Sequence, residues 1–261
     1  MKRLLTLAAA AATLAVAGCG DDADDTAGAT APPSAQAPLV VSAAASLKTA
    51  FTEYAEAFDS GDAKLSFAGS DVLAAQIEQG ATPDVFAAAN TKLPDQLYAK
   101  GLVGKPTVFA GNRLVLAVPA DSKIDSVDDV ADADIDLAVG SETVPVGAYT
   151  RKVLDRLPDA EAAAILRNVR SEEPDVKGIV GKLTQGAVDA GFVYITDVAA
   201  AKGDLKAIEL AKELKPSAAY GAAVVKGAKN PAAAEAFIAG LLSGDGQAAL
   251  QRAGFEPPPA G

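Results

Sequence analysis

From Leu39 onward the chain alternates short apolar runs with stretches of helical spacing, and this alternation constrains the fold more than any other feature. Runs rich in Val, Phe and Ile predict strands at 39–43, 64–68, 84–88, 114–118, 136–139, 191–194 and 220–225. Between them the spacing predicts helices at 47–58, 71–79, 147–156, 176–185 and 197–202, then 231–240 and 247–253. In the first of these, Leu47, Phe51, Tyr54 and Phe58 recur along one face, and Pro231 stands where a first helical turn tolerates it. Alternation of this kind predicts an α/β fold with parallel sheets covered on both faces. At 261 residues the chain exceeds one ordinary core and suits two lobes. No Pro/Ser-rich linker follows Pro38, so the lobes must be joined by strands. A chain leaving the first lobe near 113–119 and returning near 216–222 forms a hinge beside an interlobe cleft. The expected division is 39–115 with 220–261 as lobe 1 and 116–219 as lobe 2.

The segment before this body has a different character. Met1-Lys2-Arg3 is basic, and the apolar run at 4–17 is shorter than the ~20 residues a membrane-spanning helix needs. It ends in Val16-Ala17-Gly18-Cys19, which resembles a bacterial lipobox, and Cys19 is the sole cysteine. Residues 1–18 are therefore expected to be a lipoprotein signal peptide. Residues 19–38, with Asp21, Asp22, Asp24 and Asp25 and almost nothing to bury, are expected to be a disordered tether starting at a lipidated Cys19. The expected location is extracytoplasmic, anchored by lipid at the outer face of the cell membrane or on its periplasmic side.

Composition then removes function classes. Acidic residues outnumber basic ones 34 to 23, a net charge of -11, which argues against a nucleic-acid partner. The chain has no His, no Trp, 1 Cys and 1 Met, which excludes His-based triads, most metal sites and an intramolecular disulfide. Ser46 or Ser70 as a nucleophile would need a base, and no Ser-x-x-Lys pairing supplies one, so no enzyme is expected. Aromatics at 5% disfavour sugar binding, and the helix starts show no Arg for an amino-acid carboxylate. A purely structural lipoprotein remains as a rival, in which the serines below would be inert.

Ligands of open parallel sheets sit beyond the carboxyl ends of strands, where helices begin. Here those starts share a pattern. Ala43-Ala44-Ala45-Ser46 precedes the first helix and Phe67-Ala68-Gly69-Ser70 the second, with Ser46 and Ser70 expected as N-caps. Val144-Pro145-Val146-Gly147, Asp175-Val176-Lys177 and Val193-Tyr194-Ile195-Thr196-Asp197 open three more. Free N–H groups at such starts bind anions directly, which an acidic chain needs because its overall field repels them. A lining of donors without acceptors suits an anion that carries no proton.

The segments Val41-Ser42-Ala43-Ala44-Ala45-Ser46-Leu47, Phe67-Ala68-Gly69-Ser70, Leu73 to Gly80 and Pro83-Asp84-Val85-Phe86 resemble the amino-terminal half of the molybdate-binding proteins of bacterial ABC importers. Asn112-Arg113-Leu114-Val115-Leu116, Val144 to Gly147, Asp175 to Gly178, Val193 to Asp197 and Gly254-Phe255-Glu256 are similar to later blocks in the same order. The resemblance implies a periplasmic-binding-protein-like fold of type II, two α/β lobes with a hinge and interlobe cleft. It implies capture of molybdate or tungstate as ligand, with no cofactor. By position, Ser46 and Ser70 would bind oxygens through hydroxyl and N–H, Val146 and Val176 through N–H, and Tyr194 through its hydroxyl. The metal would be held as its oxyanion, with no side chain on the metal itself. Also implied are an ABC permease with a cytoplasmic ATPase as partner, and a monomer. Asp71 departs from the family, which often has Ser or Thr there, and puts a carboxylate near a dianion. Another oxyanion, such as sulfate or phosphate, is the alternative guest.

Overall fold

The computed structural model describes residues 37–59, 62–132 and 134–259. The expected signal peptide, the lipid site at Cys19 and nearly all of the tether lie outside the described residues. Among those described, no helix is long and apolar enough to cross a membrane.

In chain order the first part comprises β1 (Leu39–Ala44), a 3-10 turn (Ala45–Leu47) running into α1 (Lys48–Ala57), β2 (Ala63–Ala68), α2 (Ser70–Glu78), β3 (Val85–Ala88) and α3 (Lys92–Ala99). The long β4 (Thr107–Pro119) leads to a 3-10 turn (Asp128–Ala131), β5 (Leu137–Gly140), α4 (Pro145–Leu154), α5 (Asp159–Arg167), β6 (Val169–Glu173) and α6 (Val176–Thr184). Then follow β7 (Ala190–Tyr194), α7 (Ile195–Ala200), β8 (Leu205–Glu209), β9 (Ser217–Val224), α8 (Pro231–Leu242) and α9 (Asp245–Arg252).

The strands run in the order β2-β1-β3-β9-β4-β7-β5-β6, with β8 also on β4. Toward both ends pairing is parallel, β1 with β2 and β3, and β5 with β6 and β7. The middle differs from the all-parallel expectation: β9 is antiparallel to β3 and β4, and β4 is antiparallel to β7 and β8. The reason is connectivity. A strand that carries the chain from one sheet half to the other, and a second that brings it back, must run against each other. Residues 107–113 of β4 pair with β9 across a bulge between Val108 and Ala110, and residues 114–119 pair with β7 and β8.

Packing follows the periodicity. Leu47, Phe51 and Tyr54 are buried on one face of the first helix, where Phe51 and Tyr54 meet Phe237 of α8 at ring separations of 5.4 and 4.5 Å. Each such side chain contributes roughly 1.5–3 kcal/mol by leaving water. A smaller cluster of Leu73, Ile77, Phe86, Leu97 and Val225 seats α2 and α3 against the sheet. The helices α3 and α5 and the strands β6 and β8 go beyond the sequence expectation. Ile165 is the one fully buried side chain of α5, and β6 alternates half-buried and exposed positions, so neither shows a strong apolar signal.

Candidate functional site

The strand-end segments singled out above converge on one small cavity. It is lined by Ala44, Ala45, Ser46, Ala68, Gly69, Ser70 and Ala89 from one side and by Val144, Pro145, Val146, Asp175, Val176 and Tyr194 from the other. All the anticipated residues, Ser46, Ser70, Val146, Val176 and Tyr194, are among them, and no lining residue carries a cationic side chain. The space open to the centre of a water-sized sphere is about 20 Å³. A single water needs roughly 10–15 Å³ on that measure, so the cavity takes one compact guest and excludes a sugar or an amino acid.

The serines are placed differently from the N-cap expectation. Ser46 lies inside the 3-10 turn and Ser70 is the first residue of α2, behind Ala44 and Gly69 as the respective N-caps. Neither hydroxyl is consumed in capping its own helix. The Ser70 Oγ accepts the Ala89 N–H at 3.1 Å, which fills one lone pair and leaves its hydrogen to donate. Ser46 Oγ lies 2.9 Å from the Tyr220 hydroxyl, 174 positions away in the chain. Tyr220 in turn accepts from Asn112 Nδ2 at 3.3 Å.

The backbone donors come from the other side of the cavity. Pro145 opens α4 and has no N–H, so Val146 carries the first amide of that helix. Gly147 allows α4 to sit directly on the end of β5: a Cβ there would lie 1.9 Å from the Ser141 carbonyl oxygen and 2.4 Å from that of Gly140. At α6 the Asp175 carboxylate accepts from Lys177 N at 2.8 Å and Gly178 N at 3.2 Å. It thereby takes the second and third amides of the helix and leaves that of Val176. Both bonds go to Oδ1, and Asp175 is the one acidic residue that lines the cavity.

Tyr194 ends β7 with 1% of its surface exposed, and its hydroxyl has no hydrogen-bond partner among the described residues. Such a group costs about 1–3 kcal/mol to leave unpaired. Burial, with Tyr220, Tyr149 and Asp197 adding to it, pushes the Tyr194 hydroxyl well above its ordinary range, so it stays neutral and able to donate. Asp197, buried behind it in α7, accepts the Tyr194 N–H at 3.3 Å and Lys177 Nζ at 2.8 Å. Burial raises the Asp197 carboxyl above its usual range, and Lys177 works against that rise. Lys177 is thus engaged with a carboxylate.

The two sides also touch each other. Thr143 Oγ1 donates to Asp71 Oδ2 at 3.0 Å across the seam, and Asp71 is not among the lining residues. Its other oxygen, Oδ1, is buried without a hydrogen-bond partner among the described residues, so one carboxylate oxygen beside Ser70 is left unanswered. Gly69 meets Pro174 so closely that a Cβ would lie 2.5 Å from the Pro174 carbonyl oxygen. The seam is closed. Sequence reasoning missed the parts played by Asn112, Thr143, Asp175 and Tyr220. Asp175 alone had a local signal, as an Asp directly before an amphipathic helix.

Comparison with known proteins agrees with this architecture. The family described as bacterial extracellular solute-binding protein matches residues 39–256. The molybdate-binding protein ModA of Mycobacterium tuberculosis strain H37Rv is 36% identical over 227 residues, 84% of this chain and 85% of that one. The putative ABC transporter substrate-binding lipoprotein YvgL of Bacillus subtilis is 29% identical over 266 residues, 97% of this chain and 98% of its own. Among solved structures, the periplasmic molybdate-binding protein of Azotobacter vinelandii superposes with a TM-score of 0.75 at 21% identity, covering 84% of this chain and 99% of that one. This last likeness is one of fold.

Proposed function

The chain belongs to the bacterial extracellular solute-binding proteins, and from that premise we propose that its cleft captures molybdate, with tungstate an equivalent guest, for an ABC importer. The observation that supports the proposal is the cavity itself, which Ser46, Ser70, Tyr194, Val146 and Val176 all line and in which no lining residue is cationic. Their hydroxyls and amides are neutral donors. A fully deprotonated dianion accepts from all of them, and once closure excludes water each such bond is worth more than in solvent. The unpartnered Tyr194 hydroxyl supports the same reading, since a guest oxygen would supply the acceptor it lacks.

Capture proceeds by closure. The anion docks on the serine side, and the lobe carrying α4, α6 and Tyr194 then closes and completes the shell, because the closed form makes more bonds to the guest. In this proposal 39–115 with 220–261 form one lobe and 116–219 the other, and the crossing of β4 and β9 is the hinge. The closed form is what a permease coupled to a cytoplasmic ATPase would read. A monomer tethered through lipidated Cys19 at the outer face of the membrane fits that task, and the lipoprotein relative supports the anchor. The chain binds and releases without chemistry: the recorded partners of Ser46 and Ser70 are the Tyr220 hydroxyl and the Ala89 N–H, neither of which is a base that would activate a serine.

Isothermal titration of the purified chain with molybdate and with sulfate tests the proposal. Both are unprotonated dianions at neutral pH, so size decides between them. Molybdate should bind at least tenfold tighter, and equal affinity or a preference for sulfate contradicts the proposal.

A further inference from the structure

We infer that Asn112 and Tyr220, neither of which lines the cavity, fix the direction of the hydrogen bond at Ser46 and thereby set that serine against oxyanions that carry a proton. The inference rests on the oxyanion reading of the cleft and deepens it. It starts from the one donor whose direction is beyond choice. The backbone N–H of Arg113 donates to Asn112 Oδ1 at 2.9 Å, which sets the orientation of the Asn112 amide, because the flipped form would set NH2 against N–H. The amide nitrogen therefore faces the other way, 3.0 Å from Thr196 Oγ1 and 3.3 Å from the Tyr220 hydroxyl oxygen. An amide NH2 only donates, so both oxygens accept.

Direction then propagates. Tyr220 is fully buried, and burial pushes its hydroxyl far above the ordinary tyrosine range, so it keeps its hydrogen. Its oxygen accepts from Asn112, and the other hydrogen-bond neighbour recorded for it is Ser46 Oγ, 2.9 Å away, which takes that hydrogen. Ser46 now accepts from behind, and its own hydrogen points to the cavity. At Ser70 a peptide does the same work, the Ala89 N–H at 3.1 Å. Both serines are thus held as donors, one by the backbone and one by a side-chain chain of command three residues long: Asn112, Tyr220, Ser46. A guest with an O–H, such as hydrogen phosphate, finds neither serine turned to accept it. One unmet hydrogen bond of this kind lowers affinity by roughly tenfold to a hundredfold.

Asn112→Asp reverses the chain at almost no change in shape. Its first carboxylate oxygen still accepts from Arg113 N–H, while the second accepts from Tyr220 and Thr196. Tyr220 oxygen is then free to accept from Ser46, and Ser46 turns a lone pair to the guest. Tyr220→Phe instead releases Ser46 to rotate either way. Both variants act through another residue, so Asn112 and Tyr220 are positioning residues, and the ratio of two anions is the readout that a merely structural role leaves alone. The full chain is titrated calorimetrically with molybdate at about pH 8.5, alone and in competition with inorganic phosphate, which is then the hydrogen-phosphate dianion. The guests carry equal charge, so the added carboxylate weakens both alike and cancels in the ratio. The preference for molybdate over phosphate is expected to narrow at least tenfold in Asn112→Asp and by less, in the same direction, in Tyr220→Phe. An unchanged ratio in a folded Asn112→Asp overturns the inference; if that variant does not fold, an unchanged ratio in Tyr220→Phe does so. A wild type that takes neither anion overturns the molybdate reading and this inference together, whereas a wild type that takes molybdate beside unaltered variants overturns the inference alone.

Discussion

Deleting the Tyr194 hydroxyl should move affinity and anion-free stability in ways that a structural tyrosine would not. The side chain is 1% exposed and its oxygen has no partner among the described residues, so Tyr194→Phe breaks no hydrogen bond within the empty cage. Without anion, the variant should be at least as stable as wild type. Removing an unpaired buried hydroxyl is worth up to ~1 kcal/mol or more, which raises the midpoint of a chain this size by about 2–4 °C per kcal/mol. With molybdate, one bond to a charged oxygen is lost, about 1.5–3 kcal/mol, or roughly a 10- to 150-fold rise in Kd. Calorimetry gives the Kd, and thermal unfolding with and without molybdate gives the second quantity. The gap between loaded and empty midpoints should shrink while the empty midpoint holds or rises. An empty midpoint several degrees lower, beside an unchanged Kd, would mean that the hydroxyl serves the fold and not the guest, and would refute the reasoning.

Ser46→Ala with Ser70→Ala should abolish nearly all of the thermal shift that molybdate gives the wild type, and equal shifts would remove both serines from the site. Gly147→Ala must push α4 off the end of β5, because the new Cβ would lie 1.9 Å from a backbone oxygen; binding should weaken at least tenfold, with a lower unfolding midpoint. Gly181→Ala, where nothing lies nearer than 3.9 Å, should instead hold or raise the midpoint and leave binding alone. The raised Asp197 carboxyl has a defined pH signature. The folded state holds that proton at pH values where the unfolded chain, with an ordinary value near ~3.9, has released it, so this group's contribution to stability falls as pH rises from there through the raised folded value. Asp197→Asn lacks the effect, so the midpoint difference between variant and wild type should move in the variant's favour as pH rises across that window; a constant difference would contradict the assignment.

The parts of the fold that were legible in the sequence are those whose signal is local. The face made by Leu47, Phe51 and Tyr54, Pro231 at the start of α8, and the small residues at strand ends each follow from a few neighbouring positions. What escaped is non-local or weakly apolar. The first half of β4, around Thr107 and Val108, pairs with β9 through a bulge, and no alternation marks it. Strand β6 carries Arg170, Glu172 and Glu173 because it is an edge strand, and edges read as polar. The lining of the cavity was visible because all its members sit where a strand hands over to a helix, and because the family blocks fall at the same places. The layer behind was not. Tyr220 stands within a strand run like any core aromatic, and its bond to Ser46 spans 174 positions. The hydroxyls of Ser46 and Ser70 were expected to cap, yet the backbone starts each helix one or two residues earlier, and that small offset is what releases them toward a guest.

A crystal structure of the chain loaded with molybdate, with the metal located by its anomalous signal, tests the neutral cage most directly. The account predicts the metal centred between the serine turn and the starts of α4 and α6, its oxygens within hydrogen-bond distance of Ser46, Ser70, Val146, Val176 and Tyr194. A Lys or Arg side chain bound to those oxygens, or the anion lodged elsewhere with this cavity empty, would contradict it.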